Sequence, residues 1–272
     1  MEIGGRLFVV TGAGNGIGRE VAFLLLARGA RVAAVSRGAA GLERTAELAG
    51  PGAALSTHVV DVADRAAVAA LPAAVEAAHG IPADGIINVA GIIHRFAKIS
   101  DLSMEEIEHV VDVDLWGTVN MTKAFLAGLM ARPSASIVNF GSMGALIPFP
   151  GQGAYGASKG GVHLFTETLL AELRDTSIQV SLVMPGAVAT NILGGSGVDA
   201  PRGLTFEAAA KFGYRPMKAT TAARRVVRGI ERGRFRILVG ADARIFDGLR
   251  RVLPGGAIRL IAWIVAPILG FR

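Results

Sequence analysis

The sequence predicts an α/β fold built on a doubly wound parallel sheet, and three observations carry that prediction. Short runs rich in Val and Ile alternate with longer Ala- and Leu-rich stretches along most of the chain. The short runs are apolar at successive positions, as strands covered on both faces must be. The first of them enters a glycine-rich turn that leads straight into a helical pattern. Such alternation implies right-handed βαβ crossovers, with helices on both sides of one sheet of about seven strands.

Taken in order, strands are expected over 7–10, 32–35, 56–60, 85–89, 136–140, 180–184 and 235–239. Helices are expected over 17–27, 42–49, 63–78, 104–130, 154–173 and 221–232. The segment 194–203, GGSGVDAPRG, reads as a flap rather than a domain boundary. A single catalytic domain is expected over 1–240. The tail 241–272 then packs as a helical extension on that domain, on a partner subunit or on a membrane.

Composition narrows the function. The 272 residues are 51% hydrophobic with a net charge of +6, which excludes intrinsic disorder. There is no cysteine, so disulfides, thiolate metal sites and a cysteine nucleophile are excluded. The five histidines show no ligand spacing, and no metal is expected. The opening MEIGGRLFVV is unlike a secretory signal, and a cytoplasmic protein is expected. Residues 201–272 carry 15 Lys and Arg against 4 Asp and Glu, so the basic charge belongs to the C-terminal quarter. Without an interleaved aromatic platform or a groove-reading motif, this charge does not point to nucleic acid. It alternates with Ile, Leu and Trp in the tail, as in a helix lying on an anionic membrane or docked on another subunit.

The first strand runs into Thr11-Gly12-Ala13-Gly14-Asn15-Gly16-Ile17-Gly18. Glycines let a backbone approach a pyrophosphate, and the following helix points its free N–H groups at the phosphates. This is a Rossmann-like dinucleotide turn, with the spacing Gly-x-x-x-Gly-x-Gly. The end of the second strand selects the cofactor. A carboxylate there would accept from the ribose hydroxyls of NAD, but the chain has Ser36 and Arg37. A guanidinium suits a 2′-phosphate, so NADP(H) is expected over NAD(H), with Arg19 and Arg44 as further helpers. Asp61 and Val62 end the third strand, where they would meet the adenine or begin the next helix.

Tyr155 and Lys159 are four apart on a predicted helix and so share a face. An ammonium beside a phenol stabilises the phenolate, which fits the phenol to exchange protons with a carbonyl or alcohol oxygen. Ser142 lies just beyond the strand 136–140, where its hydroxyl would reach the same oxygen.

These pieces, together with Asn88-Val89-Ala90-Gly91 and Pro185-Gly186-Ala187-Val188-Ala189-Thr190, resemble the short-chain dehydrogenase/reductase family in order and spacing over about residues 5–240. The resemblance implies an oxidoreductase that interconverts a ketone or aldehyde with an alcohol. Tyr155 would be the general acid/base, Lys159 would lower its pKa and hold the nicotinamide ribose, and Ser142 would orient the substrate. Asn88, Ala90, Gly91, Pro185, Gly186, Val188 and Thr190 would line the cofactor, with Thr190 on the carboxamide. A homodimer or homotetramer through the 104–130 and 154–173 helices is implied as well. A sensor that binds NADP(H) without catalysis is the alternative, although it would have no use for Ser142, Tyr155 and Lys159 together.

Three positions depart from the family pattern. Val89 stands where a second Asn is common, and Asn15 stands where NADP-preferring relatives often carry a basic residue. Asp114 replaces the asparagine whose backbone carbonyl belongs to the family's proton relay; that backbone role tolerates Asp, so Asp114 is expected as the relay residue, although a carboxylate there would weaken the effect of Lys159 on Tyr155. Substrate contacts are expected from 94–96, 143–152 and 191–214. Leu146, Ile147, Phe149, Leu193, Phe206 and Phe212 suit a hydrophobic ketone, while His94 and Arg95 suit an anionic group.

Overall fold

Seven parallel strands form one sheet in the order β3-β2-β1-β4-β5-β6-β9, in a computed structural model that describes residues 1–199 and 216–268. They are β1 (Leu7–Thr11), β2 (Arg31–Ser36), β3 (Leu55–Val59), β4 (Gly85–Asn88), β5 (Ala135–Phe140), β6 (Ile178–Pro185) and β9 (Arg236–Val239). Each expected strand is present within about two residues. Two-residue strands β7 (Val188–Ala189) and β8 (Met217–Lys218) pair in parallel as a separate sheet. They are too short for any hydrophobic period to announce.

Alternation along β1 shows why helices cover both faces. Phe8 and Val10 face a core with Val21 and Leu25 of α1 (Gly16–Leu26) and Val226 and Ile230 of α8 (Ala219–Glu231). Leu7 and Val9 face the opposite core. That side holds Val68 and Leu71 of α3 (Arg65–His79), Met121 and Phe125 of α5 (Gly117–Met130) and Leu169 of α6 (Gly153–Glu172). Two-sided burial fails at β3, where Val59 is 60% exposed. This strand is the sheet edge, with α2 (Ala39–Ala49) beside it.

The helix expected over 104–130 is broken. A regular α4 (Met104–Val111) ends in a wider π-helical turn, Asp112–Trp116, before α5 begins. Inserted turns of this kind re-aim side chains, and here Asp114 is turned fully inward. Ser103 and Glu106 cap the start of α4 reciprocally.

Of the expected flap, a four-residue α7 (Ile192–Gly195) and a turn are seen, and the segment from 200 lies outside the described residues. The tail is helical as expected, with α9 (Ala241–Val252) and α10 (Pro254–Ile268) following β9.

The sheet end opposite the glycine turn is tied by one buried carboxylate. Asp84 accepts from the Leu7 N–H at 2.9 Å and pairs with Arg132 at 2.8 Å and Arg6 at 3.4 Å. Removing it leaves the buried Leu7 N–H unpaired and takes the carboxylate partner from two half-buried guanidiniums. Asp84→Ala is expected to cost about 3 kcal/mol in denaturant unfolding. A loss below about 0.5 kcal/mol, the scale of a surface pair, contradicts this reading.

Candidate active site

Strand order reverses at β1, which pairs with β2 on one side and β4 on the other. The crossovers leave in opposite directions there and open a crevice at the strands' C-terminal ends. The crevice is lined by the glycine turn, by Ser36, Arg37, Asp61 and Val62 beyond β2 and β3, and by Ala90, Gly91 and Ile92 beyond β4. Thr190, Asn191 and Ile192 close its far side.

The turn fits a dinucleotide for a steric reason. A Cβ at Gly18 would overlap the Gly12 carbonyl oxygen, so only glycine lets α1 start this close beneath the turn. The helix N-terminus then faces the crevice, where Gly12, Gly14, Asn15, Gly16 and Ile17 all contribute to the wall. Arg19 braces the turn from behind. Its guanidinium donates to the carbonyls of Gly14 and Gly41 and to Thr45 Oγ1, which in turn donates to Ala13 O. Arg19 is therefore committed to the scaffold and not to a phosphate, contrary to expectation. Arg44 is committed too, to Glu47 at 2.9 Å, and does not line the crevice. Arg37 remains at the rim, 54% exposed, with Asp61 Oδ2 4.0 Å away. The next helix is capped by Asp64, while Asp61 closes the preceding turn by accepting from the Ala63 N–H.

The motif after β4 is held by a single hydroxyl. Thr11 Oγ1 accepts from the N–H groups of both Val89 and Ala90 at 3.0 Å. Asn88 itself points away from the crevice and donates to Asn139, which donates on to Thr166. Pro185, Gly186 and Val188 likewise do not line it. A Cβ at Gly186 would meet the Asp242 carboxylate, which instead accepts from the Ala187 N–H at 2.7 Å. Gly41, Val113 and Gly195, which the sequence did not single out, do line the crevice.

Behind the crevice floor at Gly91, Ser142, Tyr155, Lys159 and Asp114 come together. A Cβ on Gly91 would lie 3.0 Å from Lys159 Nζ and 3.1 Å from Asp114 Oδ1. Lys159 donates to Phe140 O at 3.3 Å and pairs with Asp114 Oδ2 at 3.5 Å. Asp114 also accepts from the Ile92 N–H at 2.8 Å and from the Ser158 hydroxyl at 3.3 Å. Burial pushes the Asp114 carboxyl above the usual carboxylate range, against the pull of Lys159. Lys159 Nζ lies 5.9 Å from the centre of the Tyr155 ring.

The phenol departs from expectation in sign. Burial first, and the Asp114 charge second, hold the Tyr155 hydroxyl above its ordinary value, while a hydrogen bond with Ser142 works the other way. Ser142 Oγ accepts from the Gly144 N–H at 3.0 Å, which leaves its own proton to donate. The Ser142 backbone N–H donates to His163 Nε2 at 3.4 Å. Burial, then Arg236 and Lys159, pull His163 down to about 4, so it stays neutral and able to accept. The five histidines lack ligand spacing, which gives no reason to expect a role for His163. Its signal was the 155-159-163 stripe along one helix.

On the substrate side, Phe96 and Phe149 meet edge to face at 6.1 Å, and Ile147 is buried near Leu146. Arg95 is held by Glu106 at 2.7 Å and by Asp101 O, so it does not await an anion as expected. Phe206 and Phe212 lie outside the described residues.

Comparison with known proteins agrees with this geometry. Residues 6–199 match the family model described as short chain dehydrogenase. SadH of Mycobacterium tuberculosis, named as an oxidoreductase, is 37% identical over 269 residues, covering 96% of each chain. A crystal structure of a short chain dehydrogenase/reductase from Burkholderia phymatum in complex with NAD superposes with a TM-score of 0.83 at 27% identity, covering 93% of this chain and 95% of that one. The closed form of serine dehydrogenase complexed with NADP+ superposes with a TM-score of 0.70 at 26% identity, covering 81% and 87%. With its sheet order, its glycine turn and its half-buried Tyr155 beside buried Lys159, this chain belongs to the short-chain dehydrogenase/reductase family of nicotinamide-dependent oxidoreductases.

Proposed function

We propose that this chain reduces a hydrophobic ketone or aldehyde with NADPH, Tyr155 delivering the proton. When bound, the nicotinamide supplies the hydride that the carbonyl carbon receives. The chain's own residues do the rest. Ser142, whose hydroxyl also hydrogen-bonds Tyr155, donates to the carbonyl oxygen and polarises it. Tyr155 then gives its proton to that oxygen as negative charge develops there.

The raised phenol carries the directional part of this reading. A hydroxyl held above its ordinary value by burial and by Asp114 stays protonated at neutral pH. That state is the one a proton donor needs, which supports the reductive reading. Lys159, bonded to Phe140 O and Asp114, restores the phenol from behind and would hold the nicotinamide ribose.

NADP(H) preference rests on the end of β2. No acid stands at 36 or 37 to repel a 2′-phosphate, and the exposed Arg37 guanidinium shares the crevice rim with Ser36. Its distance from Asp61 leaves it free to turn toward a phosphate. The apolar wall of Phe96, Leu146, Ile147 and Phe149 supports a hydrophobic substrate. Exposed Met104, Met130 and Leu164 on α4, α5 and α6 support a homo-oligomer through those helices.

Tyr155→Phe is expected to keep NADPH affinity while reductase turnover on a carbonyl panel falls at least about 100-fold. Undiminished turnover contradicts the mechanism. Arg37→Asp is expected to weaken NADPH binding at least about tenfold more than NADH binding. Equal changes for the two cofactors, read by fluorescence titration, reject Arg37 as the phosphate reader.

A further inference from the structure

The two tail helices present an outward surface that suits no aqueous environment. Among the described side chains of α10, Arg259, Leu260, Trp263 and Ile264 are exposed and recur at the spacing of one helical face. Trp263 is 77% exposed. The half-buried residues Ile258, Ala262 and Ala266 form the other face, and α9 is the element α10 packs against. On α9 the exposed face mixes Arg244 and Arg251 with Ile245 and Val252, the last 77% exposed. A helix docked on a soluble domain turns its apolar stripe inward and its polar stripe outward. Here large aliphatics and an indole face out.

The charges around that surface have one sign. From residue 248 onward the sequence contains no Asp or Glu. Of the acids in α9, Asp247 pairs with Arg236 at 2.6 Å and Arg251 at 3.3 Å, and Asp242 holds the Ala187 N–H. Arg244 and Arg259 have no acid within ion-pair distance among the described residues, and Arg250 donates to the Pro254 carbonyl. A second copy meeting this face through a two-fold axis would bring like arginines together. An anionic lipid surface matches the arginines, and its acyl boundary accepts Trp, Leu and Ile. Among the described residues no helix is long and apolar enough to cross a membrane, so the helices would lie on it.

We infer that α9 and α10 form a docking surface for an anionic lipid membrane. The surface is coupled to the catalytic domain. Phe246, on the inward face of α9, packs against Ile147, close in sequence to Ser142. Docking of the outward face therefore places lipid on the far side of the helix that backs this apolar wall. The inference stands on the tail itself and survives if the proposed reaction is wrong.

The test is flotation of the full-length protein with phosphatidylcholine vesicles, with and without phosphatidylglycerol. Binding is expected to the anionic vesicles alone and to weaken with salt. The Arg244→Gln, Arg250→Gln, Arg259→Gln triple variant should lose about 100-fold in partitioning, roughly fivefold per arginine. Leu260→Glu with Trp263→Glu should abolish binding, with circular dichroism unchanged. Absence of binding, equal binding to neutral and anionic vesicles, or retention by either variant overturns the inference. So does a wild type that ignores vesicles but changes size in gel filtration when Trp263 is replaced, which assigns the face to a second copy.

Discussion

The catalytic end of the molecule is organised around a buried ion pair between Lys159 and Asp114. Neither side chain reaches solvent to any useful extent. Taking two charges out of water is favourable only if each finds further partners. They do: the Ile92 N–H and the Ser158 hydroxyl serve Asp114, and the Phe140 carbonyl serves Lys159. The pair thereby ties together the loop after β4, the π-helical turn, the end of β5 and the start of α6. Removing either partner would strand the other charge in a low-dielectric interior, so the cleft floor at Gly91 depends on both.

This pair sets the chemistry of the phenol above it. A lysine alone beside Tyr155 would favour phenolate. Here burial, and after it the Asp114 charge, hold the proton on the ring. This suits the proton-donor role proposed for Tyr155, and the neighbouring groups are consistent with it. His163 is held neutral and accepts from the backbone of Ser142, fixing the turn that offers the serine hydroxyl. The dinucleotide crevice is braced separately, through Arg19 and Thr45 behind the glycine turn and Thr11 behind the next loop.

Much of this was legible in the sequence because its signals are local. Strands covered on both faces write themselves as apolar runs, and a turn that must admit α1 against Gly12 writes itself as glycine. The four-residue step from Tyr155 to Lys159 is likewise a property of one helix. What was not legible depends on partners far away in the chain. Arg19 looked available for a phosphate, but the carbonyls of Gly14 and Gly41 claim it. Arg95 looked available for a substrate anion, but Glu106 claims it. Asn88 sits in the right motif and points the other way, into Asn139. The π-helical turn was hidden because its apolar pattern continues that of the flanking helices. The sign of the Tyr155 shift was hidden because burial and the Asp114 charge together outweigh the Ser142 hydrogen bond, and burial is a property of the folded chain.

The most direct measurement is a spectrophotometric titration of the phenol itself. The chain has two tyrosines, so in a Tyr214→Phe background Tyr155 is the only one left to ionise. Phenolate absorbance should then appear only above the ordinary value for tyrosine, about 10, or not before the fold is lost. Adding Asp114→Asn should bring the transition to lower pH. A folded protein whose phenolate forms at or below the ordinary value, or whose transition ignores Asp114→Asn, contradicts the account.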